Sequence, residues 1–240
     1  MSQQRFGLTL DVDWAPDCVI DAVAQRLEAH AVRATWFITH LSPAVERLRA
    51  RRDLFELGIH PNFLPGSTHG CTHEEVLRHC MHLVPEAVSM RSHSVYQSGS
   101  LYACVLRDTP IRVDSSTFLP EMAYIRPLEQ PLPGGVLKRI PFIWGDDYEL
   151  CKVSPCWDFS RLRDLPGLQI FLFHPIHVYL NTVSFAEYEA VKRRTGPLSE
   201  ATAERLQAQI KSGLGIASLF DEAIDIVASA GGGAVMREFL

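Results

Sequence analysis

Short apolar stretches alternate with amphipathic ones from residue 6 to residue 173, and this alternation constrains the fold more than any other feature. Phe6 to Leu10, Ala34 to Ile38, Leu54 to Ile59, Ala87 to Arg91, Ile111 to Asp114, Val136 to Ile143 and Leu168 to Phe173 read as strands. Between them, Asp17 to His30 carries Val19, Ile20, Val23 and Leu27 on one helical face. Pro43 opens a helix reaching Arg52, Thr72 with Glu75 forms a capping box for a helix to Leu83, and Ser98 to Arg107 is helical. Ser184 and Glu187 cap another helix, and a longer helical tract runs from Ser199 to Ala230. Gly231, Gly232 and Gly233 read as a terminator before a short tail. Strands that alternate with helices require a parallel sheet with helical cover. Six or seven such units predict a closed or nearly closed barrel, with an open doubly wound sheet as the alternative. Neither GxGxxG nor GxxxxGK[ST] follows the first strand, which weighs against the nucleotide-binding versions of the open sheet.

The 240 residues suit one domain with its own core, with the chemistry-bearing motifs between residues 6 and 182 and the C-terminal helices of 184–230 packed on the barrel. Hydrophobic residues at 47% and charged residues at 21% exclude a disordered chain. A net charge of −5 gives no basic footprint, so nucleic acid is not an expected partner. The polar start, Met1 to Arg5, lacks a signal-peptide pattern, and Leu168 to Leu180 is too short and too polar to span a bilayer. The six cysteines lack CxxC spacing and read as reduced thiols, so the expected compartment is the cytoplasm.

Parallel α/β folds place their chemistry at the carboxyl ends of the strands. The residues just past each strand are Asp11 and Asp13, Thr39 and His40, His60, Arg91 and His93, Asp114, Trp144 with Asp146 and Asp147, and His174 with His177. Asp11 and Asp13 lie two apart on an extended chain and share a side. Two such carboxylates repel, and a cation on one with the other as base resolves the conflict. His60 sits between an apolar strand and Pro61 and is a candidate ligand with Asp13. His93 is the candidate second imidazole, with His69 in the Gly66–Gly70 loop as its rival. Arg91 suits a carboxylate or oxyanion, or orients Asp11. His174 ends a wholly apolar strand, where desolvation tunes an imidazole for general-acid work. His177 either lines a substrate site or sits on its rim. His73, His79 and His82 do not make HExxH and read as a solvated helix face.

The ordered set Thr9-Leu10-Asp11-Val12-Asp13, Ala34 to Thr39, Gly58-Ile59-His60, Met90-Arg91-Ser92-His93 and Phe173-His174 resembles the polysaccharide deacetylase family, the NodB-type carbohydrate esterases. Within it, His60 to Phe63, Arg91 to Ser94 and Phe173 to His177 look like the branch associated with O-antigen and other surface-polysaccharide biosynthesis. The sequence departs from the family where Val12 separates two aspartates that are usually adjacent. It departs again where Leu64 replaces an imidazole four residues after His60, and where His93 stands in place of a proline.

The resemblance implies a distorted (β/α) barrel of about seven parallel strands and hydrolysis of an N-acetyl or related acyl amide on a sugar. By analogy Asp11 is the base and Asp13 the metal ligand, although the inserted Val12 leaves their order open. A compatible mechanism has Asp13, His60 and His93 holding a divalent ion, zinc first and cobalt, manganese, nickel or iron as alternatives. Asp11 then takes a proton and His174 protonates the leaving amine. Asn62, Trp144, Asp147, His177 and Tyr179 are the candidate substrate contacts, with Trp144 and Tyr179 as stacking platforms. The expected partner is a sugar or nucleotide-sugar precursor, and the oligomeric state is open. The competing readings are hydrolysis of a non-sugar C–N bond on the same site, as in cyclic amides or ureides, and a catalytically silent binding module.

Overall fold

The structure is a computed structural model and describes residues 5–240. Four strands form its centre: β1 (Arg5–Asp11), β2 (Ala34–Ile38), β3 (Phe55–Ile59) and, in the same layer, the short β4 (Ser89–Met90). Every residue of β2 and β3, and all of β1 after Arg5, is buried. That is the pattern of strands covered on both faces, and it explains why they read as continuous apolar runs. Next come β5 (Val113–Asp114), β6 (Leu128–Leu132), β7 (Gly135–Arg139), β8 (Trp144–Gly145) and the wholly buried β9 (Leu168–Phe173). They form one nine-stranded sheet in the order β6-β7-β5-β4-β3-β2-β1-β9-β8. Every neighbouring pair is parallel except β6 with β7. The sheet curls into a half-barrel, as the alternation of elements predicts.

The helices are α1 (Asp17–Ala29), α2 (Pro43–Ala50), α3 (His73–Leu83), α4 (Gly99–Asp108), α5 (Asp146–Cys151), α6 (Ser160–Arg163), α7 (Pro175–Leu180), α8 (Phe185–Thr195), α9 (Ala203–Gln207) and α10 (Ile216–Ser229). Their starts follow the cap chemistry. Thr72 Oγ1 accepts from the Glu75 N–H while the Glu75 carboxylate accepts from the Thr72 N–H, closing the capping box. Ser42, Ser98 and Ser184 each accept from the N–H three residues on. Helix α1 buries Val19, Ile20, Val23, Ala24 and Leu27. No helix of the described residues is long and apolar enough to cross a membrane.

Several elements differ from the sequence reading, which has no helices at α5, α6 and α7. The expected strand from Val136 to Ile143 stops at Arg139 as β7, β8 begins only at Trp144, and β7 turns back from β6 in a hairpin that the sequence reading does not contain. Between β5 and β8 the ladder lapses, and a single parallel bridge joins Phe118 to Phe142. The expected tract from Ser199 to Ala230 breaks into a 3₁₀ turn (Leu198–Glu200), α9 and α10. Gly213, at φ 86°, and Gly215 stand in the break. A Cβ at Gly215 would lie 2.8 Å from the Asn181 carbonyl oxygen, so the chain passes close to the end of α7 there.

Beyond α10 the chain lies across the amino ends of the central strands. Ala234 N–H donates to the Phe6 carbonyl at 2.8 Å, Met236 N–H to Thr35 Oγ1 at 2.9 Å and Arg237 N–H to Glu56 Oε2 at 2.7 Å. Burial pushes the Glu56 carboxyl up, and hydrogen bonds from Ser89, Arg237 and Thr35 offset part of that. Glu56 thus serves the end of the sheet opposite the strand ends that carry the chemistry. Helix α10 buries Leu219, Phe220, Ala223, Ile224 and Val227, and the Phe220 ring meets Phe173 at 4.9 Å between centroids. Phe220→Ala should therefore lower the unfolding free energy by about 3–5 kcal/mol in urea denaturation. A loss below about 1 kcal/mol would show that α10 is not docked on β9.

Candidate active site

Four strand ends converge on one cleft. Asp11 closes β1, and Val12 extends the ladder by donating to the Phe37 carbonyl at 3.1 Å while burying its own side chain. Asp13 then turns at φ 44° and Trp14 at φ 56°, both left-handed, which is unusual for residues with side chains. Trp14 N–H is held by Thr39 Oγ1 at 3.0 Å, so the end of β2 fixes this turn. Both carboxylates reach the same cleft, but through this left-handed turn rather than through the alternation of an extended chain that their spacing predicts.

His60 leaves β3 with its N–H on the Ile38 carbonyl. Its Nδ1–H donates to the Arg91 carbonyl at 2.7 Å, which leaves Nε2 with a lone pair 3.1 Å from Asp13 Oδ1 and 3.7 Å from Asp11 Oδ2. Orientation of one ring nitrogen by a backbone carbonyl is the usual companion of a metal-ligating imidazole. His93, past β4, is positioned by its N–H on the Pro61 carbonyl, with Nδ1 3.1 Å from Asp13 Oδ1 and 3.4 Å from His60 Nε2. One donor atom from each of Asp13, His60 and His93 lies within 4.8 Å of the others. Two imidazole nitrogens and one carboxylate oxygen suit a borderline divalent ion such as zinc, and the fixed tautomer of His60 fits that use. His69 is not part of this set. Its Nε2–H donates to the Thr39 carbonyl at 3.0 Å and its Nδ1 accepts from the Asn62 N–H at 3.2 Å, so both nitrogens are used. Burial first, then His79, pushes its pKa down to about 4.

The remaining strand ends supply two further groups. Arg91, with no exposed surface, donates to Asp11 Oδ1 at 2.9 Å and Thr9 Oγ1 at 2.8 Å, and to the carbonyl and hydroxyl of Ser115 at 2.9 Å each. It therefore positions Asp11 and does not reach into the cleft. Asp146 holds His174 twice, accepting from its N–H at 2.6 Å and from Nδ1–H at 2.7 Å. His174 Nε2 points back toward Asp13 Oδ2, 3.6 Å away. Burial alone would lower the His174 pKa. Asp147, Asp146 and Asp13 overcome it and hold the imidazole well above its ordinary value. Burial would raise the Asp13 carboxyl, but His60, His93 and His174 keep it well below the usual range. The centre is a charge cluster that favours an anionic Asp13 and a protonated His174.

Asp11, Asp13, His60, His93 and His174 form the floor of a cavity of about 200 Å³. Phe118, Phe142, Tyr148 and Leu172 make its apolar wall, with the Phe118 ring stacked on Phe142 and met edge-on by Tyr148. A larger groove of about 740 Å³ meets this cavity at Asp13.

The expected substrate contacts divide. Asp147 lines the cavity with half of its side chain exposed, and Asn62 lines the groove. His177 is buried, with Nε2 3.2 Å from Asp147 Oδ1 and Nδ1 3.1 Å from Thr182 Oγ1, so it supports Asp147 from behind. Trp144 is not a platform. It is wholly buried against Phe159 and Phe173, and its indole N–H donates to Glu149. Tyr179 lines a separate depression with Arg26 and Ala217. Tyr148, Phe118 and Trp14 are the cleft aromatics that the sequence reading missed. Tyr148 directly follows the Asp146-Asp147 pair, and that adjacency is the signal that was available.

Loss of a ligand and loss of a structural histidine should separate cleanly. After chelation, zinc titration should give one tight site, which His60→Ala and His93→Ala each weaken by more than about 100-fold. His69→Ala should leave zinc affinity unchanged and lower the unfolding midpoint. Equal zinc affinity in wild type and His93→Ala would remove His93 from the ligand set.

The sequence pattern of the WbmS-like polysaccharide deacetylase family matches residues 8–192. Among solved structures, the candidate polysaccharide deacetylase WbmS, involved in O-antigen biosynthesis in Bordetella bronchiseptica, is 30% identical. The match covers 94% of this chain and 90% of that one, with a TM-score of 0.78. The Xyl-CE4 domain of a multidomain xylanase from the hindgut metagenome of Trinervitermes trinervoides is 13% identical, over 98% of this chain and 89% of that one, with a TM-score of 0.48. Peptidoglycan deacetylase PdaC from Bacillus subtilis is 12% identical, over 98% and 88%, with a TM-score of 0.46. No curated protein sequence matches the chain. By the extent of the family match and by the relative that covers nearly its whole length, the chain belongs to the WbmS-like polysaccharide deacetylase family.

Proposed function

We propose that the protein is a metal-dependent hydrolase that removes an N-acetyl or related acyl group from a sugar used in building O-antigen or a similar surface polysaccharide. One observation carries this reading. Asp11 and His174 flank the Asp13, His60 and His93 set within one cavity, so a base, a cation site and an acid face the same small volume. A silent binding module has no use for the paired hydrogen bonds that orient both flanking groups. The wide groove beside the cavity favours an extended sugar conjugate over a cyclic amide.

When bound at Asp13, His60 and His93, a divalent ion, with zinc the preferred choice, supplies Lewis acidity toward an acyl carbonyl and a water. The chain's own residues do the rest. Arg91 holds Asp11 by Oδ1, and Oδ2 faces the cavity to take the proton of the attacking water. Asp146 occupies Nδ1 of His174, so the proton available for the leaving amine sits on Nε2, on the cavity side. An amine leaves poorly unless protonated, so this donor matters as much as the base. Phe142 and Leu172 give the acyl methyl an apolar seat, and the partly exposed Tyr148 offers its ring to a pyranose.

Acetate release from a panel of UDP-N-acetylamino sugars, with zinc, cobalt or manganese added, tests this reading. Asp11→Asn should lower kcat by about 10²–10⁴ while leaving the circular-dichroism spectrum unchanged. Undiminished release would remove Asp11 as base. A second variant, Asp146→Asn, probes the acid. Asp146 raises the His174 pKa, so its loss lowers that pKa and depletes the protonated form at lower pH. The basic limb of the kcat–pH profile should therefore move to lower pH. A basic limb that stays in place would show that His174 is not the proton donor.

A further inference from the structure

The groove beyond the catalytic cavity carries a charge for which deacylation has no use. The cavity, at about 200 Å³, is smaller than the roughly 300–1,000 Å³ of sites that enclose a whole small ligand, and the groove, at about 740 Å³, lies within that range. The two meet at Asp13, so a substrate whose acyl group enters the cavity continues into the groove. Trp14, Asn62 and Ser67 form one wall, and Tyr188, Lys192 and Arg193 from α8 form the other. Cβ atoms placed on Gly66 or Gly196, at the two rims, would meet nothing within 4 Å, so the groove is open along both edges.

Its electrostatics are one-sided. Asp13 is the only carboxylate among the lining residues, and it faces His60 and His93. Cations gather at helix C-termini for dipole reasons alone, and Lys192, Arg193 and Arg194 end α8. Their side chains are used differently. Lys192 pairs with Glu189 at 2.6 Å and lies over the Tyr188 ring, and Arg194 donates to Gln209. Arg193 lines the groove, and its guanidinium has no ion pair or hydrogen bond among the described residues. Arg126 and Arg205 likewise show no side-chain ion pair among the described residues, so what sets Arg193 apart is its place on the wall of a groove that it shares with Lys192 and a single lining carboxylate, Asp13.

Resting on the deacylase reading above, we infer that this groove receives a phosphate or diphosphate ester carried by the sugar, with Arg193 as its anchor and Lys192 beside it. A planar guanidinium forms paired, charge-assisted hydrogen bonds with phosphate oxygens. The diphosphate is common to nucleotide-linked and polyprenyl-linked sugars, and both place it beside the sugar ring.

Equilibrium titration of UDP and of geranyl diphosphate tests this without turnover, in chelator-treated protein so that phosphate on a metal is not counted. UDP should bind the wild type, about tenfold more weakly to Arg193→Ala, partly restored in Arg193→Lys, and unchanged in Arg205→Ala on α9. Raising the salt to about 1 M should erase most of the difference. Tighter binding of UDP assigns the nucleotide source, and tighter binding of geranyl diphosphate the polyprenyl source. In turnover, KM for UDP-N-acetylglucosamine should rise about tenfold in Arg193→Ala relative to KM for N-acetylglucosamine. Absence of diphosphate binding, or equal binding by wild type and Arg193→Ala, overturns the inference whether or not the protein deacylates. Binding that follows Arg193, with no acetate released from any sugar, upholds the anion site and instead removes the deacylase reading.

Discussion

A single buried guanidinium organises the catalytic end of this sheet. Arg91 has no exposed surface, and burying a charge without partners costs several kcal/mol. Its side chain meets Asp11 and Thr9 from β1 and the carbonyl and hydroxyl of Ser115 beyond β5, and lies between the rings of Phe37 and Phe142 at 4.8 and 4.7 Å. Its own carbonyl accepts from His60 Nδ1. The side chain thus orients the Asp11 carboxylate, proposed above as the base, and the backbone sets the tautomer of His60, proposed as a ligand. Three strands and both sides of the chemistry are tied to one residue, so any shift of β4 against β1 disturbs them together.

Much of this was legible because a parallel sheet leaves its strand ends on one side. The bounds of β2 and β9 match their sequence readings, and His60, His93 and His174 follow strands there. The choice between His93 and His69 was not legible. It turns on the Thr39 carbonyl and the Asn62 N–H, backbone groups that satisfy His69 and that no spacing of side chains reveals. Trp144 resembled a cleft aromatic because it precedes Gly145 and two aspartates. Its register opposite Phe171 turns it inward, and Phe159, from a segment 15 positions later, closes over it. Tyr179 failed for a helical reason, since the short α7 presents it to the depression shared with α1 and α10 and away from the cleft. The β6–β7 hairpin was invisible because Leu128–Leu132 contains glutamate, glutamine and proline and buries none of its residues fully.

The site also shows how charges of one sign are kept from cancelling its function. Asp11, Asp13, Asp146 and Asp147 crowd one cleft, yet each has its own cationic or imidazole partner: Arg91, His60 with His93, His174, and His177. Pairing by position gives carboxylates within one small volume different surroundings, Asp11 held by a guanidinium, Asp13 between two imidazoles and Asp146 behind a third.

The lapse in the ladder at Phe118 and Phe142 has a consequence for how such a protein diversifies. Asp11 and Asp13 follow β1 and His60 follows β3, strands held by four and five register pairs with β2, while His93 follows the two-residue β4, joined to β3 at Ile59 and Met90. Of the apolar wall, Phe118 and Phe142 come from the stretch between β5 and β8, where the strand pairing is reduced to an isolated bridge, Tyr148 comes from α5, and Leu172 alone comes from the paired β9. The polar floor and most of the apolar wall are therefore carried by different parts of the chain. Exchanges at Phe118, Phe142 or Tyr148 can thus reshape the chamber while Asp11, Asp13, His60 and His93 keep their places, provided Ser115, which anchors Arg91, is left intact.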